Sequence, residues 1–251
     1  MMTRRSIIAK ITDHNFTKEF KRFEYETKFS IATRKNALAF LRDVERCFRA
    51  PSHFLLVRIA GGDKLVTRVS FFVRNNREYS YFVYRRARML KVKRHDVMMR
   101  GGLPIFKNEE SLLIDCRDFA DKLHHLRHRF VRHSYRLVDL GPLMRRLRFN
   151  PTTRVGEMIK TRVKDFVLDT RDGRVYAVAV TFCASRGRTQ KQLEVEYAGY
   201  IAGVPGRTAN SEREIVARTV ELSKYIQNCL PAMLTLSTER KYTFVTRGRA
   251  V

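Results

Sequence analysis

Several things are missing from this chain of 251 residues, and each absence removes a class of function. Its four cysteines, Cys47, Cys116, Cys183 and Cys229, are scattered and form no Cys-x-x-Cys pair, which excludes a zinc ribbon and a disulfide framework. A reducing intracellular compartment fits that usage. No apolar run approaches the roughly 18 residues a membrane-spanning helix needs, so no membrane span is expected. The opening residues, Met1 to Lys10, are basic but lack the roughly 7–15-residue apolar stretch of a secretory signal, and organellar import stays open. There is no Gly-Lys-Ser or Gly-Lys-Thr sequence, so a P-loop mechanism is excluded. Acidic residues are also scarce. Asp plus Glu number 25 against 51 for Lys plus Arg, a net charge of +26 with a pI near 10.6. An excess of that size points to a polyanionic partner, nucleic acid first, with polyphosphate or an acidic membrane surface behind it.

What remains is rich in β-branched and aromatic runs. Residues 1–19 read as a basic lead-in and residues 20–245 as one domain, because no repeat or low-complexity linker divides them. A strand is predicted from Phe20 to Ile31, then an amphipathic helix from Asn36 to Phe48 that stops before Pro51. Leu55 to Ile59, Lys64 to Val73, Tyr79 to Tyr84 and Met89 to Lys93 read as an antiparallel meander, punctuated by Gly61-Gly62 and Asn75-Asn76. Phe119, Leu123, Leu126 and Phe130 keep helical spacing, so Asn108 to His133 is predicted helical. Four histidines and many arginines cover the remainder, and His124, His125 and His128, among arginines, read as a basic face. Runs at Ser134–Leu140, Arg146–Phe149, Met158–Leu168, Val175–Cys183 and Gln192–Ile201 follow, with Asp172-Gly173 marking a hairpin. Ser211 and Glu214 have capping-box spacing ahead of a last helix ending near Asn228, before Pro231.

Chemistry concentrates on three strands. Glu24, Glu26 and Lys28 alternate on one strand face, and Glu194 with Glu196 repeats the acidic half. Lys160, Arg162 and Lys164 share a face between them, and Lys91 with Lys93 form a further same-face pair. Carboxylates grouped in this way are costly to desolvate unless cations or a metal compensate them. Strands of alternating acid and base could line the polar lumen of a barrel.

The pattern Glu24-x-Glu26-x-Lys28, with Glu194-x-Glu196 and Lys160-x-Arg162, resembles the triphosphate tunnel metalloenzyme (CYTH-like) superfamily. The order of motifs is most similar to its metal-dependent RNA 5′-triphosphatase branch, which acts in mRNA capping. That resemblance, over residues 20–200, implies an α+β, mostly antiparallel fold: a closed eight-stranded β-barrel with peripheral helices. It further implies Mg²⁺ or Mn²⁺ held by Glu24, Glu26, Glu194 and Glu196, which with Lys160 and Arg162 form the catalytic set. Lys28, Arg68, Lys160, Arg162 and Lys164 would grip phosphate, with Lys91 and Lys93 as further phosphate or RNA contacts. The implied substrate is RNA with a 5′-triphosphate, at a nuclear, viral or cytoplasmic site of RNA synthesis. A guanylyltransferase or another capping or ribonucleoprotein component is the implied protein partner. Similar enzymes carry an Asp two residues before Thr181, where this chain has Ala179, and no acidic residue of the Tyr79–Arg94 region fills the family's intermediate acidic role. Lys241, near the end, could enter a tunnel mouth but is not assigned a role. Alternatives are an inorganic tri- or polyphosphatase, a nucleoside triphosphatase, or a noncatalytic RNA-binding protein on the same fold.

Overall fold

Alternating polar and apolar residues drive many of the described residues into strands, and those strands hydrogen-bond into one mostly antiparallel system. The computed structural model describes residues 3–17, 23–74, 77–84, 87–115, 136–138, 145, 154–202 and 211–247. Its elements are α1 (Arg4–Thr12), β1 (Phe23–Ile31), α2 (Ala37–Arg46), β2 (Phe54–Val57), β3 (Leu65–Arg74), β4 (Arg77–Tyr84), β5 (Ala87–Arg100) and β6 (Leu103–Asp115). Then come β7 (Arg136–Val138), β8 (Arg154–Asp169), β9 (Arg174–Ser185), β10 (Arg188–Tyr200), α3 (Glu212–Cys229), β11 (Leu234–Leu236) and α4 (Lys241–Thr246). The result is α+β and mostly antiparallel; among the described residues only β6 and β7 pair in parallel.

Strand order runs β1-β10-β9-β8-β3-β4-β5-β6. β1 is shared between two ladders. Its residues Phe23–Glu26 pair with Phe106–Glu109 of β6, and Glu26–Ser30 pair with Gln192–Glu196 of β10. The series of ladders therefore begins and ends on the same strand.

Each strand presents two faces. On one, Tyr25, Phe29, Val163, Val178, Val180, Leu193 and Val195 form the main core with α2 and α3. Helix α2 forms because Asn36 caps it, its side chain accepting from the Ala39 amide at 2.9 Å, and because Ala37, Phe40, Leu41 and Val44 fall on one buried stripe. Ser211 caps α3 in the same way, accepting from the Glu214 amide at 3.1 Å. Thr27 and Ser223 meet through their hydroxyls at 2.5 Å, fixing α3 across β1. The hairpin at Asp172-Gly173 forms as its sequence predicts: Gly173 adopts φ +74°, and Asp172 accepts from the Arg174 amide at 3.0 Å.

Two smaller apolar clusters lie at other places in the fold. Ile11 of α1 joins Phe16, Val57, Phe166, Leu168 and Ile201 in one. In the other, Phe244 and Val245 of α4 pack on Val69, Phe71 and Met158.

Two expectations change. Residues 108–115 are the second half of a 13-residue strand and not a helix. Cross-strand pairing with β5, from Arg100↔Leu103 through Met89↔Ile114, outweighs the helical spacing, whose diagnostic residues all lie further along. Phe119 to His133, with its four histidines, lies outside the described residues, as do Cys116 and Arg146–Phe149. Strand β5 also extends well past Lys93, to Arg100.

Candidate active site

Register places the acidic pairs on neighbouring strands. Glu26 is the direct cross-strand partner of Glu196, and Lys28 of Glu194. Direct partners point to the same side of a sheet, so all four side chains, with Glu24, face one cavity. On β8, Lys160, Arg162 and Lys164 pair with Cys183, Thr181 and Ala179 of β9, and those residues pair in turn with Gln190, Gln192 and Glu194 of β10. Cations of one strand therefore reach carboxylates two strands away across a row of small side chains. The cavity, of about 120 Å³, is lined by Glu24, Glu26, Glu194 and Glu196 and by Lys28, Lys91, Lys160 and Arg162. Glu78, Ser80, Phe82, His95, Arg240, Lys241 and Tyr242 complete much of its wall.

The charges are interlocked. Lys28 Nζ lies 2.9 Å from Glu26 Oε1 and 4.1 Å from the centroid of the Phe106 ring. Asn108 Nδ2 donates to the same glutamate oxygen at 2.6 Å. Arg162 donates to Glu196 at 3.3 Å, Thr181 donates to Glu194 at 3.2 Å, and Lys241 forms an ion pair with Glu194. Glu24, Glu26, Lys28 and Glu194 are all buried. Burial alone would push the Glu194 carboxyl up, but Lys241, Arg162, Lys160 and Lys28 together hold it well below the usual carboxylate range. Lys160 is pulled the other way: desolvation, then repulsion from Lys241 and Arg162, lowers its ammonium to about 7. Burial also disfavours the charge on Arg162, yet Glu196, Glu194, Glu24 and Glu26 more than compensate and raise it.

Four carboxylates supply hard oxygen donors of the kind Mg²⁺ and Mn²⁺ prefer, and Glu26 faces Glu196 directly, so the donor set fits a divalent cation. Among the described residues, however, no group of three or more His, Cys, Asp or Glu side chains is drawn in to metal-holding geometry. The glutamates turn instead to lysine, arginine and asparagine.

Not every predicted residue gathers here. Arg68 does not. Along β3, Thr67, Val69 and Phe71 pair with the inward residues of β8 and β4, so alternation turns Arg68 to the outer face, where it is exposed. Lys164 shares the inward face but stands away from the main cavity, paired with Asp63 at 3.1 Å. Lys91 lines the cavity, 5.6 Å from the Phe82 ring. Lys93 is on the same strand, its side chain outside the described residues. Ala179 does lie in the inward row, between Lys164 and Glu194, so the acidic group expected there is absent.

Glu78 and His95 are not singled out by the sequence, and Lys241 is noted there without a role. Glu78 lies one residue before the Tyr79–Arg94 stretch; it is held 2.7 Å from Arg240 and 3.8 Å from His95. Its alternation with Ser80 and Phe82 was the available signal. His95 meets Asn108 at 2.7 Å, on strand stretches that the sequence reading left outside its meander. Lys241 enters the cavity because α4 packs its Phe244 and Val245 on β3 and β8.

No protein-family model matches the chain, and no curated protein does. Solved structures are similar over most of their length. The PH1819 protein of Pyrococcus horikoshii is 15% identical with a TM-score of 0.44, covering 87% of this chain and 95% of its own. The PH1012 protein of the same organism is 9% identical with a TM-score of 0.41, covering 88% and 98%. The S. pombe Pct1 RNA triphosphatase is 10% identical with a TM-score of 0.39, covering 91% and 90%. Motif order and strand architecture make the chain similar to the triphosphate tunnel metalloenzymes in fold. These likenesses are too distant to bear on activity, which has to be judged from the lining side chains.

Proposed function

We propose that the ladders from β1 round to β6 close into an eight-stranded tunnel and that the chain hydrolyses the γ-phosphate of triphosphate-ended RNA with the help of a divalent cation. The observation that carries this is the juxtaposition of Glu24, Glu26 and Lys28 with Glu194 and Glu196 on one side of a cavity and Lys160 and Arg162 on the other. Acid and base lining the same small space suit a ligand that brings both phosphate oxygens and a metal.

Glu24, Glu26, Glu194 and Glu196 would hold Mg²⁺ or Mn²⁺. When bound, the cation supplies charge neutralisation on the phosphate oxygens and the leaving group. Lys28, Lys160, Arg162 and Lys241 bind the remaining phosphate oxygens, releasing the carboxylates they now occupy. Fixed cations of this kind stabilise charge that develops on the transferring group and cost little reorganisation. The narrow cavity admits a phosphate chain and leaves the nucleoside outside. The same narrowness favours inorganic tripolyphosphate as a second substrate reading, since charged side chains dominate the described lining.

The test is release of phosphate from γ-labelled triphosphate-ended RNA, and from tripolyphosphate, with Mg²⁺, Mn²⁺ or chelator. Metal-dependent release from RNA, lost in Glu26→Ala, supports the proposal. Tight RNA binding with no release would replace it with a noncatalytic RNA-binding role, in keeping with Ala179.

A further inference from the structure

The outer face of β3, β4 and β8 carries a second basic site, separate from the cavity charges. Arg68 stands there as the cross-strand partner of Ile159 on β8 and of Val83 on β4. Tyr81, opposite Ser70, shares that face. Arg68, Arg154 and Arg186 line an open groove with Glu157, Ile159 and Ser185. Glu157 is engaged by Arg154, whereas Arg68 and Arg186 have no ion-pair partner among the described residues. Ile159 and Val66 are 42% and 46% exposed, unusual for aliphatic side chains at the middle of a sheet. Among the described residues α2 packs on β9 and on the Val163 stretch of β8, and α3 on β1, β5, β6 and β10, which leaves the Arg68–Ile159 face without a helix over it.

We propose that this face binds the body of a single-stranded polynucleotide. Uncompensated guanidiniums offer bidentate phosphate contacts, and the aliphatic and aromatic side chains between them offer surfaces on which unpaired bases stack. An A-form duplex hides its base faces and would gain nothing from Ile159, Val66 and Tyr81. Met158 lines both this groove and the catalytic cavity, so the two sites share a wall. A strand held here keeps its end close to the tunnel. The proposal deepens the RNA reading, on which its biological meaning rests, by naming where the chain distinguishes RNA from bare triphosphate.

The experiment is fluorescence anisotropy of a labelled single-stranded RNA bearing a 5′-hydroxyl, across a series of salt concentrations, with wild type and the double variant Arg68→Ala/Arg186→Ala. Both positions are exposed, so folding is not at stake. Loss of two phosphate contacts should reduce the salt slope by about 1.4 and weaken binding roughly tenfold near physiological salt. Binding of tripolyphosphate should stay unchanged. Equal binding of the RNA by the double variant and wild type overturns the proposal. So does an equal loss measured with a polyglutamate peptide, which would assign the face to an acidic protein. Failure of wild type to release phosphate from triphosphate-ended RNA, with the binding loss intact, overturns the tunnel activity and leaves this surface standing.

Discussion

Glu26 meets Lys28, Asn108 and, across the strand pair, Glu196, and its replacement tests the tunnel most directly. In Glu26→Ala, triphosphate hydrolysis should fall by about 10²–10³ or more, the scale of losing a group that organises transition-state charge. Unchanged turnover in a folded variant would remove the glutamates from the mechanism. Lys160 gives a second test, because its ammonium titrates at about 7. Phosphate binds the protonated form. Affinity for tripolyphosphate is then fully supported below pH 7 and declines as pH rises through 7, by up to about tenfold per pH unit. Lys160→Arg, charged throughout, should not show that loss, and the ratio of the two affinities cancels the ligand's own ionisation. A constant ratio from pH 6 to 9 would contradict the assignment.

At the scale of elements, α4 stands or falls with one glycine. A Cβ at Gly156 would come within 2.4 Å of Val245 Cγ1. Gly156→Ala should therefore push α4 outward, withdraw Lys241 from Glu194 and lower stability by about 1–3 kcal/mol, as overpacking does. A melting curve and tripolyphosphate affinity should both shift; an unchanged Tm would show that α4 is loosely seated. The strands carrying Glu24, Glu26, Glu194 and Glu196 are legible in the sequence because every second residue is charged while the others are apolar. Helices α2 and α3 are legible because each has a cap and an apolar stripe. Residues Leu103–Asp115 are not. Their strand identity comes from pairing with β5 and β1, which local spacing cannot reveal. Arg68 fails for a related reason: residue type identified a cation, but only register decides which face it takes. Lys241 reaches the cavity through α4, a six-residue helix with no side-chain cap to announce it, and Glu78 through its place on β4.

For the molecule as a whole, charge and pH act together. Burial raises the Asp165 carboxyl to about 6, with Glu45 adding to the rise and the Ile59 amide, donated at 2.7 Å, opposing it. The folded protein thus binds this proton more readily than the unfolded chain. Its contribution is complete below about pH 4 and is lost as pH rises through 6. Asp165→Asn keeps an acceptor for Ile59 and removes that loss, so it should be more stable at pH 7.5, by up to about 2 kcal/mol, and equal to wild type near pH 4. Urea midpoints at the two pH values decide this. The overall charge of +26 further requires RNA affinity to fall steeply with salt, and a flat salt dependence would exclude a phosphate-backbone surface of any kind.

The sharing of β1 between two ladders also has a consequence during synthesis. Its partner β10 emerges much later, and the Thr27–Ser223 contact that seats α3 spans 196 positions. An elongating chain cannot form the β1–β10 ladder until β10 clears the ribosome, so β1 and β6 wait with an open edge on β1. Non-local pairing of this kind slows folding and exposes strand edges to wrong partners. Nascent chains arrested before Arg188 should be captured by holdase chaperones, and those arrested beyond Thr246 should escape.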